Sequence, residues 1–158
     1  MYAADTNVSV EKSRAEIETI LGRYGAARFA YMTTHNEAVI GFEAHGKFVK
    51  FTLPIPQRDN ESFWKCKRYN RETGGYKRNE AQAYALWEQA CRSLWRALCL
   101  CIKAKLEAVA CGITSFEQEF LAHFVTPGGD TIGQRVIPQL NEMAKSGRMP
   151  VLCLTDSK

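Results

Sequence analysis

Residues 27–53 read ARFAYMTTHNEAVIGFEAHGKFVKFTL and contain three short runs rich in β-branched and aromatic residues, separated by the turn-like HNE and HGK. In the third run every second residue is apolar, namely Val49, Phe51 and Leu53. Such alternation is typical of a strand with one packed face and one displayed face. The stretch therefore predicts a three-stranded antiparallel meander whose other face, with Phe48 and Lys50, is open for binding.

Helical periodicity flanks the meander. Ser9 can cap a first helix that runs to about Tyr24. Downstream, Asn79 with Gln82 resembles a capping box, and apolar residues at helical spacing continue from there to about Cys111. The spacing predicts a long helix of about thirty residues, or roughly 48 Å.

Two shorter helices are expected after the long one. Thr114 with Glu117 has the pattern of a capping box for a helix that runs through about Phe124, and Thr131 can cap a last helix that ends at about Ser146. Pro138 lies inside this last helix, and we expect it to kink or shorten the helix because proline lacks an amide donor.

The length and composition are those of one globular domain: 158 residues, 46% hydrophobic and 24% charged. We therefore expect an α+β fold with an N-terminal helix, a three-stranded antiparallel meander, a basic loop, a long helix and two shorter helices. Residues 1–158 are predicted to form a single domain, in which residues 56–79 form a mobile loop that is basic and rich in aromatic residues.

The sequence indicates a soluble, cytoplasmic protein with no membrane partner. Its start lacks a basic leader followed by an apolar core, and no later run approaches the roughly eighteen apolar residues of a membrane span. Most of the six cysteines lie inside helical apolar patterns, which is typical of reduced, buried thiols. We expect no disulfides.

The most unusual stretch is FWKCKRYNRETGGYKR, residues 63–78, here called the basic segment. It has six cations against one carboxylate, whereas the other 142 residues have fifteen cations and sixteen carboxylates. Clustered cations bind phosphates through counterion release, and single-stranded bases stack on aromatic rings at about 1–3 kcal/mol per base. The residues predicted to contact phosphate are Lys65, Lys67, Arg68, Arg71, Lys77 and Arg78. Those predicted to stack on bases are Trp64, Tyr69 and Tyr76.

Three cations of the long helix extend this prediction. Arg92, Arg96 and Lys103 fall on the side away from the apolar stripe and would continue the positive surface, although charged residues are also ordinary on an outer helix face. Lys105 instead falls within the apolar stripe. It must reach out to solvent, pair with a carboxylate, or border a packing gap or subunit contact.

No catalytic, metal or cofactor site is predicted. Cys99 and Cys101 point about 200° apart on a helix and cannot hold one zinc ion together, and the three histidines are not spaced as ligand pairs. Glu43, His45 and Lys47 resemble the acid and lysine of metal-dependent nucleases. Lys47 lies beyond the turn, however, so a nuclease is a minor alternative.

The order helix, three antiparallel strands, basic loop and helix, over residues 9 to about 110, is similar to that of double-stranded-RNA-binding domains. Lys77 and Arg78 lie at the place of that family's lysine cluster, whereas the HNE turn lacks its proline-histidine pattern. The resemblance implies recognition of double-stranded RNA by its shape as a minor alternative.

WEQACRSLWRALCLCIKAKLEAVACGITSFEQEFLAHFVTPGGDTIG, together with FAYMTTHNEAVIGFEAHGKFVKFTLPIP, also resembles hypothetical proteins encoded by bacteriophages and prophages. No catalytic residue comes with this resemblance. It implies a small protein made during phage growth that acts on DNA, RNA or a host nucleoprotein.

These observations predict a non-enzymatic protein that binds nucleic acid with the basic segment. Single-stranded or structured nucleic acid is favoured, because rings stack only on unstacked bases. The alternative is a protein-binding inhibitor of a host nucleic-acid machine or defence complex, in which the same segment docks on an acidic protein groove, because aromatic residues and arginine are also common at protein interfaces. An oligomer is compatible with either function.

Overall fold

The structure is a computed structural model that describes residues 3–66 and 77–147. The elements, in chain order, are α1 (Val10–Arg23), β1 (Arg28–Thr33), β2 (Glu37–Ala44), β3 (Lys47–Pro54), α2 (Glu61–Trp64), α3 (Glu80–Ala110), α4 (Phe116–Phe120), a 3₁₀ turn (Leu121–His123) and α5 (Ile132–Ser146). The predicted α+β order of elements is confirmed. The one-turn helix α2 is an addition, because it lies inside the stretch expected to be loop.

The three strands form the predicted antiparallel meander, in the order β1-β2-β3. Phe42 at the centre of β2 lies opposite Phe29 on one side and Val49 on the other. The β2–β3 turn places His45 at φ 51° and Gly46 at φ 69°. Two-residue hairpin loops need this left-handed backbone, which glycine adopts at little cost.

The core lies between the inner face of the sheet and the helices. The alternation predicted for β3 is confirmed, since Val49, Phe51 and Leu53 are buried while Phe48 is 51% exposed. Apolar side chains of α1, α3 and α4 complete one cluster, whose largest fully buried members include Trp95, Phe120, Ile17, Leu21, Ile40 and Ile102. Burial of this apolar surface is the main force that holds the helices on the sheet.

The first and third helices begin where the sequence predicted. The Ser9 side chain accepts a hydrogen bond from the Lys12 amide at the start of α1. At the start of α3 both halves of the capping box form: Asn79 Oδ1 accepts from the Gln82 amide at 2.9 Å, and Gln82 Oε1 accepts from the Asn79 amide at 3.2 Å. These bonds satisfy amides that have no partner within the helix.

The predicted start of α4 is wrong by one residue. Ser115, rather than Thr114, is the N-cap, and its capping-box partner is Gln118. Glu117 instead reaches across to β3, where the Lys47 ammonium lies 2.8 Å from its carboxylate. The helix also ends at Phe120, earlier than expected, and the chain continues as the 3₁₀ turn.

The last helix matches its predicted bounds. Thr131 caps α5 in a capping box with Gln134, and Gly147 ends the helix at φ 66°. The helix continues past Pro138 to Ser146, so the predicted shortening is wrong. Proline at this position costs one hydrogen bond within the helix, and the helix continues on both sides of it.

The cysteines only partly follow the prediction of buried thiols. Cys91 and Cys99 are buried, Cys66 is half-buried, and Cys101 and Cys111 are exposed. The two-residue offset between Cys99 and Cys101 puts them on opposite sides of α3, which explains the difference. No helix in the described part of the chain is both long enough and apolar enough to cross a bilayer.

Candidate nucleic-acid interface

The two ends of the basic segment lie side by side. Lys65 and Lys77 form an isolated antiparallel bridge, and the Arg78 amide donates to the Trp64 carbonyl at 2.8 Å. The segment therefore leaves and returns at one place, between the end of α2 and the start of α3. The predicted site residues that fall outside the described part of the chain are Lys67, Arg68, Tyr69, Arg71 and Tyr76.

We call the two paired ends of the segment its closed base. Arg78 holds this base against α2 through hydrogen bonds. Its Nη1 donates to the carbonyl oxygens of Lys65 at 2.6 Å, Phe63 at 3.2 Å and Ser62 at 3.3 Å. The last carbonyls of a helix have no partner within the helix, and cationic side chains commonly bind them. The observed partners of Arg78 are thus backbone oxygens, which makes it a residue that positions the segment.

The other side chains at the base have partners too. The Trp64 indole Nε1 donates to the Arg58 carbonyl at 3.0 Å, which fixes its polar edge while the ring stays partly exposed. Lys65 pairs with Glu61 one turn earlier. Lys77 is exposed. Of the four predicted residues at the base, Lys77 is the one most open to a phosphate.

The three predicted cations of α3 differ in their partners and in their exposure. Arg92 lies 3.2 Å from the Glu88 carboxylate. Arg96 pairs with Glu16 of α1, and the hydrogen bond that it donates to the Glu16 carboxylate raises the pKa of the Arg96 guanidinium. The expected outer position is therefore wrong for Arg96, because α1 packs on that side of α3. Lys103 is exposed.

Lys105 follows one of the three alternatives predicted for it. Its ammonium donates to the Glu119 carbonyl at 3.0 Å and to Glu119 Oε1 at 3.2 Å. The same ammonium lies 5.7 Å from the centre of the Phe120 ring. Pairing with a carboxylate is therefore how this cation is accommodated beside the core.

The residues of the nuclease alternative are engaged in contacts of the fold. Glu43 lies 3.3 Å from the Arg28 guanidinium, Lys47 pairs with Glu117, and the His45 ring packs 4.7 Å from the Phe116 ring. Within residues 3–66 and 77–147, no group of three or more His, Cys, Asp or Glu side chains is arranged to hold a metal ion.

A groove that no sequence pattern predicted lies beside the base of the segment. It is about 530 Å³ in volume and lies between the start of α1, the β1–β2 turn, residues 55–58 and the first turns of α3. We call it the arginine groove, after the three arginines that line it: Arg14, Arg58 and Arg92.

Aromatic rings orient two of these arginines. The Arg58 guanidinium lies 4.3 Å from the Trp87 ring centre and 5.1 Å from that of Tyr84. Trp87 is itself fixed, because its Nε1 donates to the Pro56 carbonyl at 2.7 Å. Nothing local in the sequence signals this cluster, since Trp87 and Tyr84 match the apolar stripe of a helix and Arg58 lies about thirty residues before them.

Arg14 has a similar setting at the other side of the groove. Its guanidinium lies 4.4 Å from the Trp95 ring centre and 4.8 Å from that of Tyr31. In the sequence, Arg14 belongs to the mixed-charge face of α1, which gave no reason to single it out. Only the packing of α1 against α3 brings it over Trp95.

The comparisons with known proteins name no family for this chain. No protein-family model, no curated protein and no solved structure matches it. The resemblances to phage proteins and to double-stranded-RNA-binding domains therefore stay predictions.

Proposed function

We propose that the protein binds single-stranded or structured nucleic acid through the basic segment, without catalysing a reaction. The observation that supports this most is the closed base of the segment, formed by the Lys65–Lys77 bridge and the three carbonyl contacts of Arg78. Fixing both ends of a charged segment on the body of the protein lowers the entropy lost when the segment binds.

The charges in the segment set the expected salt dependence. Arg78 and Lys65 already have partners at the base, which leaves Lys67, Arg68, Arg71 and Lys77 for phosphates. Each phosphate neutralised on a single strand contributes about −0.7 to the slope of log K against log salt, so four contacts give a slope of about −2.8. The rings of Trp64, Tyr69 and Tyr76 would add stacking that is insensitive to salt.

The test is fluorescence anisotropy with labelled single-stranded and double-stranded DNA and RNA over a salt series. The loop variant changes Lys67, Arg68, Arg71 and Lys77 to Ser. The matched control removes the same number of charges at exposed positions outside the predicted site: Lys12, Arg23, Arg28 and Lys145.

We expect the loop variant to lose binding, while the control variant keeps it within a few-fold because its cations lie away from the segment. Equal losses in the two variants would show that overall charge, not the segment, drives binding. Absence of binding to all four nucleic acids at low salt would refute the proposal.

A second candidate function is inhibition of a host nucleic-acid machine or defence complex by protein binding. It is favoured by the outer face of the sheet, which carries Met32 at 60% exposure and Phe48 at 51%. A shallow apolar depression of about 650 Å³ runs along this face and is lined partly by Phe48 and Val39. Exposed apolar patches of this kind commonly mark protein interfaces.

The two functions use different surfaces, so variants can separate them. Met32→Ser with Phe48→Ser should abolish binding to a purified host protein and leave nucleic-acid affinity unchanged. The loop variant should do the opposite if the segment binds nucleic acid. If a host protein binds the variant with Met32→Ser and Phe48→Ser as tightly as it binds the unmodified protein, the outer sheet face has no role in that binding.

A further inference from the structure

The arginine groove has the size and lining of a ligand site. Its volume of about 530 Å³ falls within the roughly 300–1,000 Å³ that is usual for small-molecule sites. It combines the rings of Tyr84, Trp87 and Trp95 with three guanidinium groups. None of these residues belongs to the basic segment, so the proposed function leaves the groove without a role.

Two of the guanidinium groups lack a carboxylate partner. Neither Arg14 nor Arg58 forms an ion pair with any residue in the described part of the chain. Their guanidinium carbons lie 4.4 Å and 4.3 Å from the ring centres of Trp95 and Trp87. A guanidinium held over a ring can still donate from its edge, which is the geometry that binds phosphate with two parallel bonds.

The burial of Arg14 is a further indication of a ligand. Its Nε is buried and has no hydrogen-bond partner within the described residues. An unsatisfied buried donor costs free energy. The contacts with the Trp95 and Tyr31 rings offset part of this cost and hold a positive charge beside the groove.

The balance of charge in the groove favours an anion. Its three arginines face two carboxylates, Glu11 and Glu88, and Glu88 is paired with Arg92 at 3.2 Å. Hydrogen bonds from its own amide and from Ser9, and to a smaller extent the charge of Arg14, lower the pKa of the Glu11 carboxyl. Three guanidinium groups against two carboxylates leave the groove with one excess positive charge beside the N-terminus of α1, which adds to the positive potential.

We propose that the arginine groove binds a nucleotide. The guanidinium edges of Arg14 and Arg58 would hold its phosphate, and its base would stack against the rings and guanidinium planes that line the groove. The rings orient the arginines, and the part of Tyr84 that stays exposed, 46% of the residue, adds a surface on which a base can stack and which a phosphate alone would not use. The same chemistry serves a free nucleotide and the terminal nucleotide of a strand.

This inference does not depend on the proposed function of the basic segment. The two sites are close, because the Arg58 carbonyl accepts the bond from Trp64 at the base of the segment. A strand held by the segment could therefore end in the groove. A free nucleotide could bind there even if the segment binds no nucleic acid.

The experiment is a titration of the full chain with AMP and UMP, followed by tryptophan fluorescence and by calorimetry. Trp87 and Trp95 line the groove, so a bound base should change their emission. Arg58→Gln removes one guanidinium from an exposed segment, and Arg14→Gln removes the other. The matched control is Arg23→Gln, which removes an exposed cation of α1 that does not line the groove.

We expect saturable binding of AMP and UMP that is at least about tenfold weaker in Arg58→Gln and in Arg14→Gln, because each loses a charge-assisted hydrogen bond. Arg23→Gln should bind as the unmodified protein does. Thermal melting of each variant shows that it folds. Should Arg14→Gln fail to fold, the exposed Arg58 still provides the test.

Adenosine and inorganic phosphate identify which part of the nucleotide is recognised. Both should bind more weakly than AMP. A short oligonucleotide with a 5′-phosphate, compared with one that has a 5′-hydroxyl, distinguishes a strand end from a free nucleotide. The loop variant should retain AMP binding, which separates failure of this site from failure of the proposed function.

Three results would overturn the inference. One is the absence of any saturable signal with AMP or UMP. Another is phosphate binding as tight as AMP binding, which would make the groove a simple anion site. The third is AMP affinity unchanged by Arg58→Gln and Arg14→Gln.

Discussion

Replacing Arg78 with lysine keeps the positive charge at the base of the basic segment and removes the guanidinium that fastens it. Nη1 of Arg78 contacts three carbonyl oxygens, at 2.6, 3.2 and 3.3 Å. Lysine is a point charge on a flexible stem and cannot reproduce this set of contacts. The substitution therefore separates a role in positioning the segment from a role in contacting phosphate.

The distances give the expected size of the effect. Nη1 has two hydrogens, so its three contacts are equivalent to about two hydrogen bonds. At about 1 kcal/mol net for each bond, Arg78→Ala should cost about 2 kcal/mol in the local stability of the base, and Arg78→Lys, which can keep one bond, about 1 kcal/mol. These correspond to opening equilibrium constants about thirtyfold and fivefold larger, and to amide exchange faster by the same factors.

Amide hydrogen exchange measures this opening directly. The amides to follow are those of Lys65, which donates to Glu61, and Arg78, which donates to Trp64. The amide of Ile102, inside α3 and fully buried, is the internal control and should not change. We also expect Arg78→Lys to weaken nucleic-acid binding, although the charge is retained.

Two results would refute this reasoning. If Arg78→Ala leaves the exchange of both amides unchanged, the three carbonyl contacts do not hold the base together. If Arg78→Lys opens the base but binds nucleic acid as tightly as the unmodified protein, the closed base is not what prepares the segment for binding.

The remaining predictions concern the core and the thiols. Lys105→Met and Glu119→Gln each remove one member of an ion pair whose charged atoms lie 3.2 Å apart. Because both side chains are about three-quarters buried, a double-mutant cycle of urea unfolding should show a coupling of about 1 kcal/mol between the two substitutions. Additive effects would contradict the pairing. Burial, and to a smaller extent the Lys105 charge, lower the pKa of His123 from its ordinary 6.5. The unfolded chain therefore binds a proton first as the pH falls, so His123 should reduce stability progressively below about pH 6.5 and by a constant amount below its folded pKa. His123→Gln should lessen this acid loss, measured as the free energy of unfolding between about pH 7.5 and pH 5, and an unchanged pH profile would show that His123 does not contribute. Burial raises the pKa of the Cys99 thiol to about 11, so iodoacetamide should label the exposed Cys101 in the native protein and Cys99 only after unfolding; peptide mass spectrometry showing equal labelling of both in the native state would contradict the burial of Cys99.

Much of the fold follows from short-range signals in the sequence. The start of α3 is set by Asn79 and Gln82, three residues apart, and the start of α5 by Thr131. The alternation along β3 likewise fixes which of its faces is buried. Each of these features depends on residues within a few positions of one another, so the sequence is enough to predict it. The one-residue error at α4 arose because two overlapping capping patterns were present and only the amide of Gln118 completes a box.

The functional surfaces depend on long-range packing. The sequence identified the basic segment by its charge, but only the tertiary structure brings its ends together and gives Arg78 its carbonyl partners. Arg96 was expected on an outer face until Glu16, eighty residues away, proved to be its partner.

The arginine groove is the clearest case. Arg14, Arg58 and Trp87 come from three separate parts of the chain, and no pattern in any one of them indicates a site. The helices, the strands and the position of the charge arise from neighbouring residues, so they can be predicted from the sequence. Which cations have a carboxylate partner, and which of those in the described part of the chain lie over aromatic rings without one, depends on how α1, α3 and residues 55–58 pack around a common groove, and this is visible only in the folded chain.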